Sequence, residues 1–179
     1  MSSLLIRNAT LPDGRTGLDL LCADGRIANL APRISASAER TIDAGGMLVA
    51  PPFVDAHFHM DSTLTYGMPR VNASGTLLEG IALWGELKPT LTQDAIVGRA
   101  LAYCDWAVGK GLLAIRSHVD TSDPKLLAVE ALLHVRERVK PYLDLQLVAF
   151  PQDGLLRSPG ALHNLKRALS MGVDVVGGI

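Results

Sequence analysis

The residues Pro51-Pro52-Phe53-Val54-Asp55-Ala56-His57-Phe58-His59-Met60-Asp61 carry more structural information than any other part of the chain. Successive side chains of a strand alternate between its two faces, so His57 and His59 share one face and Phe58 lies on the other. Two imidazoles on one face, at the carboxyl end of a buried strand, can occupy two adjacent positions of one metal ion. Asp61 follows at a position where an acid at the mouth of a barrel could act. The motif therefore predicts the beginning of a metal site.

Beyond this motif the chain alternates between predicted strands and predicted helices. The strands are expected at 53–59, 112–120, 143–150 and 173–179, and the helices at about 76–88, 93–110, 124–139 and 161–171. Strands without polar alternation, such as 145–150, are typical of a parallel sheet that is covered on both faces. Repeated βα units of this kind predict an α/β fold, either a doubly wound sheet or an eight-stranded βα barrel.

Residues 1–50 have a different pattern, with short strands separated by turns. Asp24-Gly25 is the strongest hairpin signal in the chain, because both residues accept the positive φ of a tight two-residue turn. We predict a small β-sandwich module over 1–50, and Pro51-Pro52 marks its exit. We expect residues 51–179 to form the first four βα units of a barrel that carries the predicted metal site.

The number of strands bears on how much of a barrel is present. A closed TIM-like barrel needs eight strands and typically about 250 residues. The 179-residue chain supplies four barrel-type strands, and its last residue falls inside the fourth. We therefore expect the N-terminal half of a (β/α)8 barrel, truncated after strand 4, with the remainder of the barrel supplied by the same or another chain.

Composition narrows the classes of partner. With 48% hydrophobic residues and a net charge of -1, the chain is expected to be globular, with no nucleic-acid or membrane partner. The N-terminus lacks the pattern of a signal peptide, and Cys22 and Cys104 suit reduced thiols. We expect a cytoplasmic protein, assembled as a homo-oligomer, that acts on a small molecule.

Four early segments resemble the opening of the amidohydrolase superfamily: Leu5-Ile6-Arg7-Asn8-Ala9, Asp24-Gly25-Arg26-Ile27, Ile42-Asp43-Ala44 and the histidine motif at 51–61. Four later segments are similar to a narrower group, the bacterial cytosine deaminases and their near relatives. They are Ser74-Gly75-Thr76-Leu77-Leu78-Glu79-Gly80-Ile81, Arg116-Ser117-His118-Val119-Asp120, 144–154 and Gly172-Val173-Asp174-Val175-Val176-Gly177-Gly178. The resemblance extends over the whole chain.

The resemblance implies roles for four residues. His57 and His59 match the first two ligands of one divalent metal ion, iron or zinc. Gln152 matches a glutamine that hydrogen-bonds the pyrimidine, and Leu77 matches a position whose backbone contacts the substrate. The implied reaction is hydrolytic deamination of cytosine or a closely related pyrimidine, with release of ammonia. The family's other ligands and its proton-transfer residues lie beyond strand 4, so the catalytic residues are expected beyond Ile179.

Several alternatives stay open at this stage. One is an N-alkyl-hydroxytriazine aminohydrolase of the N-isopropylammelide type, which shares the histidine motif and a similar end to strand 3. Another is a non-catalytic fragment that needs a complementary C-terminal half. A two-metal site is disfavoured because 173–179 contains no lysine to be carboxylated, and the absence of a Cys-x-x-Cys excludes the other zinc deaminase design. We expect His118 to pack near the site rather than to bind metal.

Overall fold

Two separate sheets organise the chain. The computed structural model describes residues 3–178. The chain divides into two units between Pro51 and Pro52, and each unit contains one four-stranded sheet. Within the described residues, no helix has the length and apolar character required to cross a bilayer.

The sheet of the first unit is mixed. Its strands are β1 (Ser3–Ala9), β2 (Leu18–Ala23), β3 (Arg26–Ala31) and β4 (Arg40–Asp43), in the order β3-β2-β1-β4. Strands β1, β2 and β3 pair antiparallel, and β4 runs parallel to β1. Asp24 and Gly25 join β2 to β3 with φ angles of 53° and 72°, as the hairpin signal predicts. Five buried residues form its core: Ala9, Leu11, Leu18, Leu20 and Ala44.

The second unit is built from βα repeats, and its sheet is entirely parallel in the order β5-β6-β7-β8. Its elements in chain order are β5 (Phe53–Phe58), α1 (Leu77–Leu87), α2 (Gln93–Gly109), β6 (Leu112–Asp120), α3 (Leu127–Val139), β7 (Asp144–Phe150), α4 (Ala161–Ser170) and β8 (Val175–Val176). Short 3-10 turns follow β5 at Met60–Ser62 and α1 at Lys88–Thr90. The predicted α/β fold with a parallel sheet is confirmed.

Two predicted elements differ from the structure by more than one residue at a boundary. Helix α3 begins at Leu127 instead of residue 124, because Leu126 has a φ of 56° and cannot belong to a right-handed helix. Asp123 still marks the helix start, since its carboxylate accepts hydrogen bonds from the backbone N–H groups of Lys125 and Leu127. The fourth barrel-type strand is shorter than predicted, at Val175–Val176, and the end of the predicted strand at residue 179 lies outside the described residues.

The two faces of the second sheet differ in chemistry. On one face, Ile115 and Val119 of β6 are buried with residues of α2 and α3 in the largest apolar cluster of the chain. On the other face, Arg116 of β6 and Gln146 of β7 are exposed, and the guanidinium Nε donates to the Gln146 amide oxygen at 2.6 Å. We call this second, polar face the inner face. Because side chains alternate along a strand, it is also the face of His118.

Candidate functional site

Three histidines meet at the carboxyl ends of β5 and β6. The ring centroids of His57 and His59 lie 5.3 Å apart, with an interplanar angle of 59°. The ring of His118 stacks on that of His57 at 4.0 Å and lies 5.6 Å from that of His59. The structure therefore places His57 and His59 together, on the same side of the sheet, as strand alternation predicts.

The spacing of the first two imidazoles suits a shared metal ion. With metal–nitrogen bonds of about 2.0–2.1 Å in a tetrahedral arrangement, two imidazole centroids lie about 5 Å apart. His57 and His59 match that value, whereas the stacked, nearly parallel rings of His57 and His118 do not suit two edge-on ligands of one ion. Among residues 3–178, no group of three or more His, Cys, Asp or Glu side chains could hold a metal ion. A metal site built on His57 and His59 would thus need further ligands, because three or four are required.

The pKa values of His59 and His118 are lowered by their surroundings. Burial lowers the pKa of His59, and the nearby charges of His118 and His57 lower it further. Burial and the neighbouring His57 also lower the pKa of His118. Metal ligation requires a neutral imidazole, so the lowered pKa values keep the rings in the form that binds metal.

Asp61 is held against the backbone of β6 rather than presented freely. Its carboxylate accepts hydrogen bonds from the N–H of Asp120 at 2.8 Å and from the N–H of Ser62 at 3.0 Å. Burial raises the pKa of Asp61 to about 7 although these backbone bonds act to lower it, and the nearby charge of Asp120 adds to the rise. The side chain still borders the cavity described next.

A cavity of about 570 Å³ opens in front of the histidines. His57, His59, Leu77 and Gln152 all line it, so the structure brings the four predicted site residues together around one space. Much of the remaining wall is apolar and consists of Met68, Ile81, Leu83, Trp84, Leu87 and Phe150. A volume of this size, with apolar side chains and polar groups around one space, is typical of a small-molecule site.

The segment between β5 and α1 forms part of this wall and is fastened to α1. Arg70 makes ion pairs with Glu79 at 2.7 Å and with Glu86 at 2.9 Å. The hydroxyl and the backbone N–H of Ser74 donate to the Glu79 carboxylate, and these bonds together with Arg70 lower the pKa of Glu79 to about 2. Thr76 caps α1 by accepting the N–H of Glu79, which fixes Leu77 as the first helical residue.

Sequence reasoning missed a group of residues beside the cavity. The indole N–H of Trp84 donates to Asp120 at 2.9 Å while its ring lines the cavity. Lys88 also contacts Asp120, at 3.0 Å. The available signal was the four-residue spacing of Trp84 and Lys88, which puts both side chains on one side of the same helical segment.

The chain is similar to known proteins over nearly all of its length. The pattern of the amidohydrolase family matches residues 40–176. N-isopropylammelide isopropyl amidohydrolase of Pseudomonas sp. (strain ADP) is 35% identical over 98% of this chain and 45% of its own length. The crystal structure of 5-methylcytosine deaminase from Klebsiella pneumoniae, liganded with phosphonocytosine, superimposes with a TM-score of 0.91 at 40% identity over 97% of this chain and 43% of that one.

A third relative gives the same picture. N-isopropylammelide isopropylaminohydrolase from Burkholderia multivorans superimposes with a TM-score of 0.84 at 32% identity, over 99% of this chain and 45% of that chain. The chain therefore spans less than half the length of the relatives it matches. Family pattern, sequence and structure agree, and the chain belongs to the amidohydrolase family.

Proposed function

We propose that the natural polypeptide containing these residues is a metal-dependent hydrolase that deaminates cytosine or a closely related pyrimidine and releases ammonia. The observation that carries the proposal is the pair of imidazoles, 5.3 Å apart, at one side of a cavity that also contains Gln152. The 40% identity to a 5-methylcytosine deaminase over 97% of the chain supports the pyrimidine assignment.

In this proposal His57 and His59 bind one divalent ion, iron or zinc. Their neutral imidazoles are suitable ligands for either metal. When bound, the ion supplies the Lewis acidity that makes water nucleophilic near neutral pH. Two ligands do not complete such a site. In this proposal the other ligands, and the groups that move protons, belong to parts of the natural polypeptide outside residues 3–178.

Gln152 and Leu77 are the proposed substrate contacts. A glutamine amide donates and accepts at the same time, which matches the adjacent acceptor and donor on the edge of a pyrimidinone ring. Gln152 follows the carboxyl end of β7 and lines the cavity with the histidines. Leu77 also borders the cavity, and as the first residue of α1 it has a backbone N–H without an intrahelical partner. The orientation of the substrate ring is thus proposed to depend on Gln152, after the end of β7, and on Leu77, at the start of α1.

The second candidate is removal of an alkylamine from a hydroxylated triazine. Two relatives named for N-isopropylammelide support it, at 35% and 32% identity. The apolar side chains of Ile81, Leu83 and Trp84 along the cavity would suit an alkyl substituent. Pro151 before Gln152 and the sequence of 76–81 favour the cytosine type. A third candidate is a non-catalytic role for this chain as an assembly half that binds a complementary chain.

The experiment is a substrate panel tested on the natural polypeptide loaded with iron or zinc. Cytosine, 5-methylcytosine, isocytosine and N-isopropylammelide are supplied separately, and ammonia and isopropylamine are quantified. The proposal is supported if the wild type releases ammonia from cytosine or 5-methylcytosine. His57→Ala should lose this activity, and the control His163→Ala, at an exposed residue, should keep it. Turnover of the alkylated triazine alone would transfer the assignment to the second candidate.

A further inference from the structure

Lys88 joins three elements beside the cavity. It is the first residue of the turn that follows α1, and its amine lies 3.0 Å from Asp120 at the end of β6. The same amine lies 3.1 Å from the carboxylate of Asp153, which follows the end of β7. One side chain therefore connects the α1 segment to the carboxyl ends of two neighbouring strands.

The contact with Asp120 is the buried half of this connection. One oxygen of the Asp120 carboxylate also accepts the indole N–H of Trp84 at 2.9 Å, and the other accepts the N–H of Ser122 at 2.8 Å. Asp120 is only 4% exposed, so Lys88 is the cation that compensates a buried negative charge. Burial acts to lower the pKa of Lys88, but Asp120 and Asp153 outweigh it and raise the pKa above its usual value.

The contact with Asp153 reaches the proposed recognition residue. Asp153 is the immediate neighbour of Gln152 in a tight turn, in which the N–H of Gly154 donates to the carbonyl of Pro151 at 2.8 Å. The N–H of Asp153 donates to Ser122 at 3.2 Å, so the turn is attached at its backbone and at its side chain. Within the described part of the chain, Lys88 is the only cation that forms an ion pair with the Asp153 carboxylate.

We propose that Lys88 is a positioning residue that fixes the geometry of substrate recognition. Through Asp153 it holds the turn that carries Gln152, and through Asp120 it holds Trp84, so two parts of the cavity wall keep a constant relation to each other. Lys88 itself does not line the cavity. The inference rests on the proposed function only in assigning substrate recognition to Gln152.

The experiment compares four single variants of the metal-loaded natural polypeptide and one double variant, Lys88→Met with Asp153→Asn. Lys88→Met removes the charge and keeps the length, and Lys88→Arg keeps the charge. Asp153→Asn removes the charge of the partner on the turn and leaves the contact between Lys88 and Asp120 intact. Lys125→Met is the matched control, because this exposed lysine makes no ion pair within residues 3–178. We expect Lys88→Met to raise KM about tenfold with a smaller effect on kcat. Lys88→Arg, which keeps the charge, should have a KM close to that of the wild type.

The double variant separates positioning from stability. If Lys88 acts through Asp153, Asp153→Asn reproduces most of the KM increase, and combining it with Lys88→Met adds little. A lowered Tm in Lys88→Met with unchanged KM, measured well below Tm, would mean that the lysine only stabilises the fold and would overturn the proposal.

Hydrogen exchange provides a readout that needs no substrate. We expect the peptide containing 151–154 to exchange faster in Lys88→Met and in Asp153→Asn than in the wild type or Lys125→Met. Unchanged exchange in this peptide would overturn the positioning role whatever the substrate is. A different outcome is also informative: the wild type deaminates neither cytosine nor its analogues, but the variants still exchange faster. That outcome would reject the proposed substrate and keep the role of Lys88 in fixing the turn.

Discussion

The imidazole of His118 stacks on that of His57, with the centroids 4.0 Å apart and the ring planes inclined by 24°. Its Nδ1 is buried and has no hydrogen-bond partner among the described residues. His57 itself is exposed, so the stacked ring of its neighbour restricts the rotation of an otherwise open side chain. The orientation of one proposed ligand therefore depends on a residue from the adjacent strand.

This stacking leads to a prediction for metal affinity. Replacing His118 by Ala removes the ring against which His57 rests and should weaken metal binding about 10- to 100-fold, the range for residues that orient metal ligands. His118→Phe keeps a flat ring and should retain more affinity than His118→Ala. Chelator competition followed by metal analysis measures the difference, with the exposed His134→Ala as control. Equal affinity in His118→Ala and the wild type would contradict the prediction.

Ser117 should stabilise the end of β5. Its fully buried hydroxyl accepts the N–H of Met60 at 2.9 Å, immediately after His59. Ser117→Ala leaves that buried N–H without a partner and should lower the free energy of unfolding by about 1–3 kcal/mol. Urea denaturation measures the change. Ser170→Ala is the control, because the Ser170 hydroxyl makes an exposed bond, and a similar loss in both variants would argue against a special role for Ser117.

The two cysteines should differ in reactivity. Burial raises the pKa of Cys104 to about 11, with a further contribution from the charge of Asp105. At pH 8 only about one Cys104 thiol in a thousand is then a thiolate, and the residue is also inaccessible. Cys22 is half-buried and should be alkylated by iodoacetamide in the native protein. Peptide mass mapping reads the outcome, and rapid labelling of Cys104 without denaturant would contradict it.

Asp19 should contribute to acid sensitivity in the first unit. The N–H groups of Ile34 and Asn8 lower the pKa of Asp19 below its unfolded value of 3.8, and Arg7 adds to this effect. Because the folded pKa is depressed, the stabilisation is complete above about pH 4 and is lost as the pH falls through the folded pKa.

The test compares hydrogen exchange in β1 and β2 as the pH is lowered. Asp19→Asn should already show faster exchange at pH 7 and a smaller additional change on acidification than the wild type. Asp24→Asn, at an exposed turn, is the control. Identical acid profiles for Asp19→Asn and the wild type would rule out this role for Asp19.

The parts of the structure that were predictable are those that local pattern determines. The change from turn-rich strands to βα repeats, and the common face of His57 and His59, follow from periodicity in short windows of sequence. The start of α3 was wrong because the left-handed conformation of Leu126 has no signature in a leucine. Pro124 is well suited to the first position of a helix, so the sequence does not reveal that the helix begins only at Leu127.

The contacts that join distant segments were not predictable. The bond from Trp84 to Asp120 spans 36 positions, and the ion pair from Lys88 to Asp153 depends on how α1 packs near the end of β7. Neither follows from spacing alone. The metal roles of His57 and His59, the substrate roles of Gln152 and Leu77, the homo-oligomer and the cytoplasmic location stay predictions.

The different chemistry of the two faces of the β5–β8 sheet has a consequence for how such a protein can diversify. Ile115 and Val119 are packed among helices, so replacing them threatens folding itself. Arg116, which follows Ile115 on β6, and Gln146 on the neighbouring β7 are exposed and hydrogen-bond to each other. Mutational drift toward new reactivity can accumulate on that side of the strands while the opposite side keeps the scaffold intact.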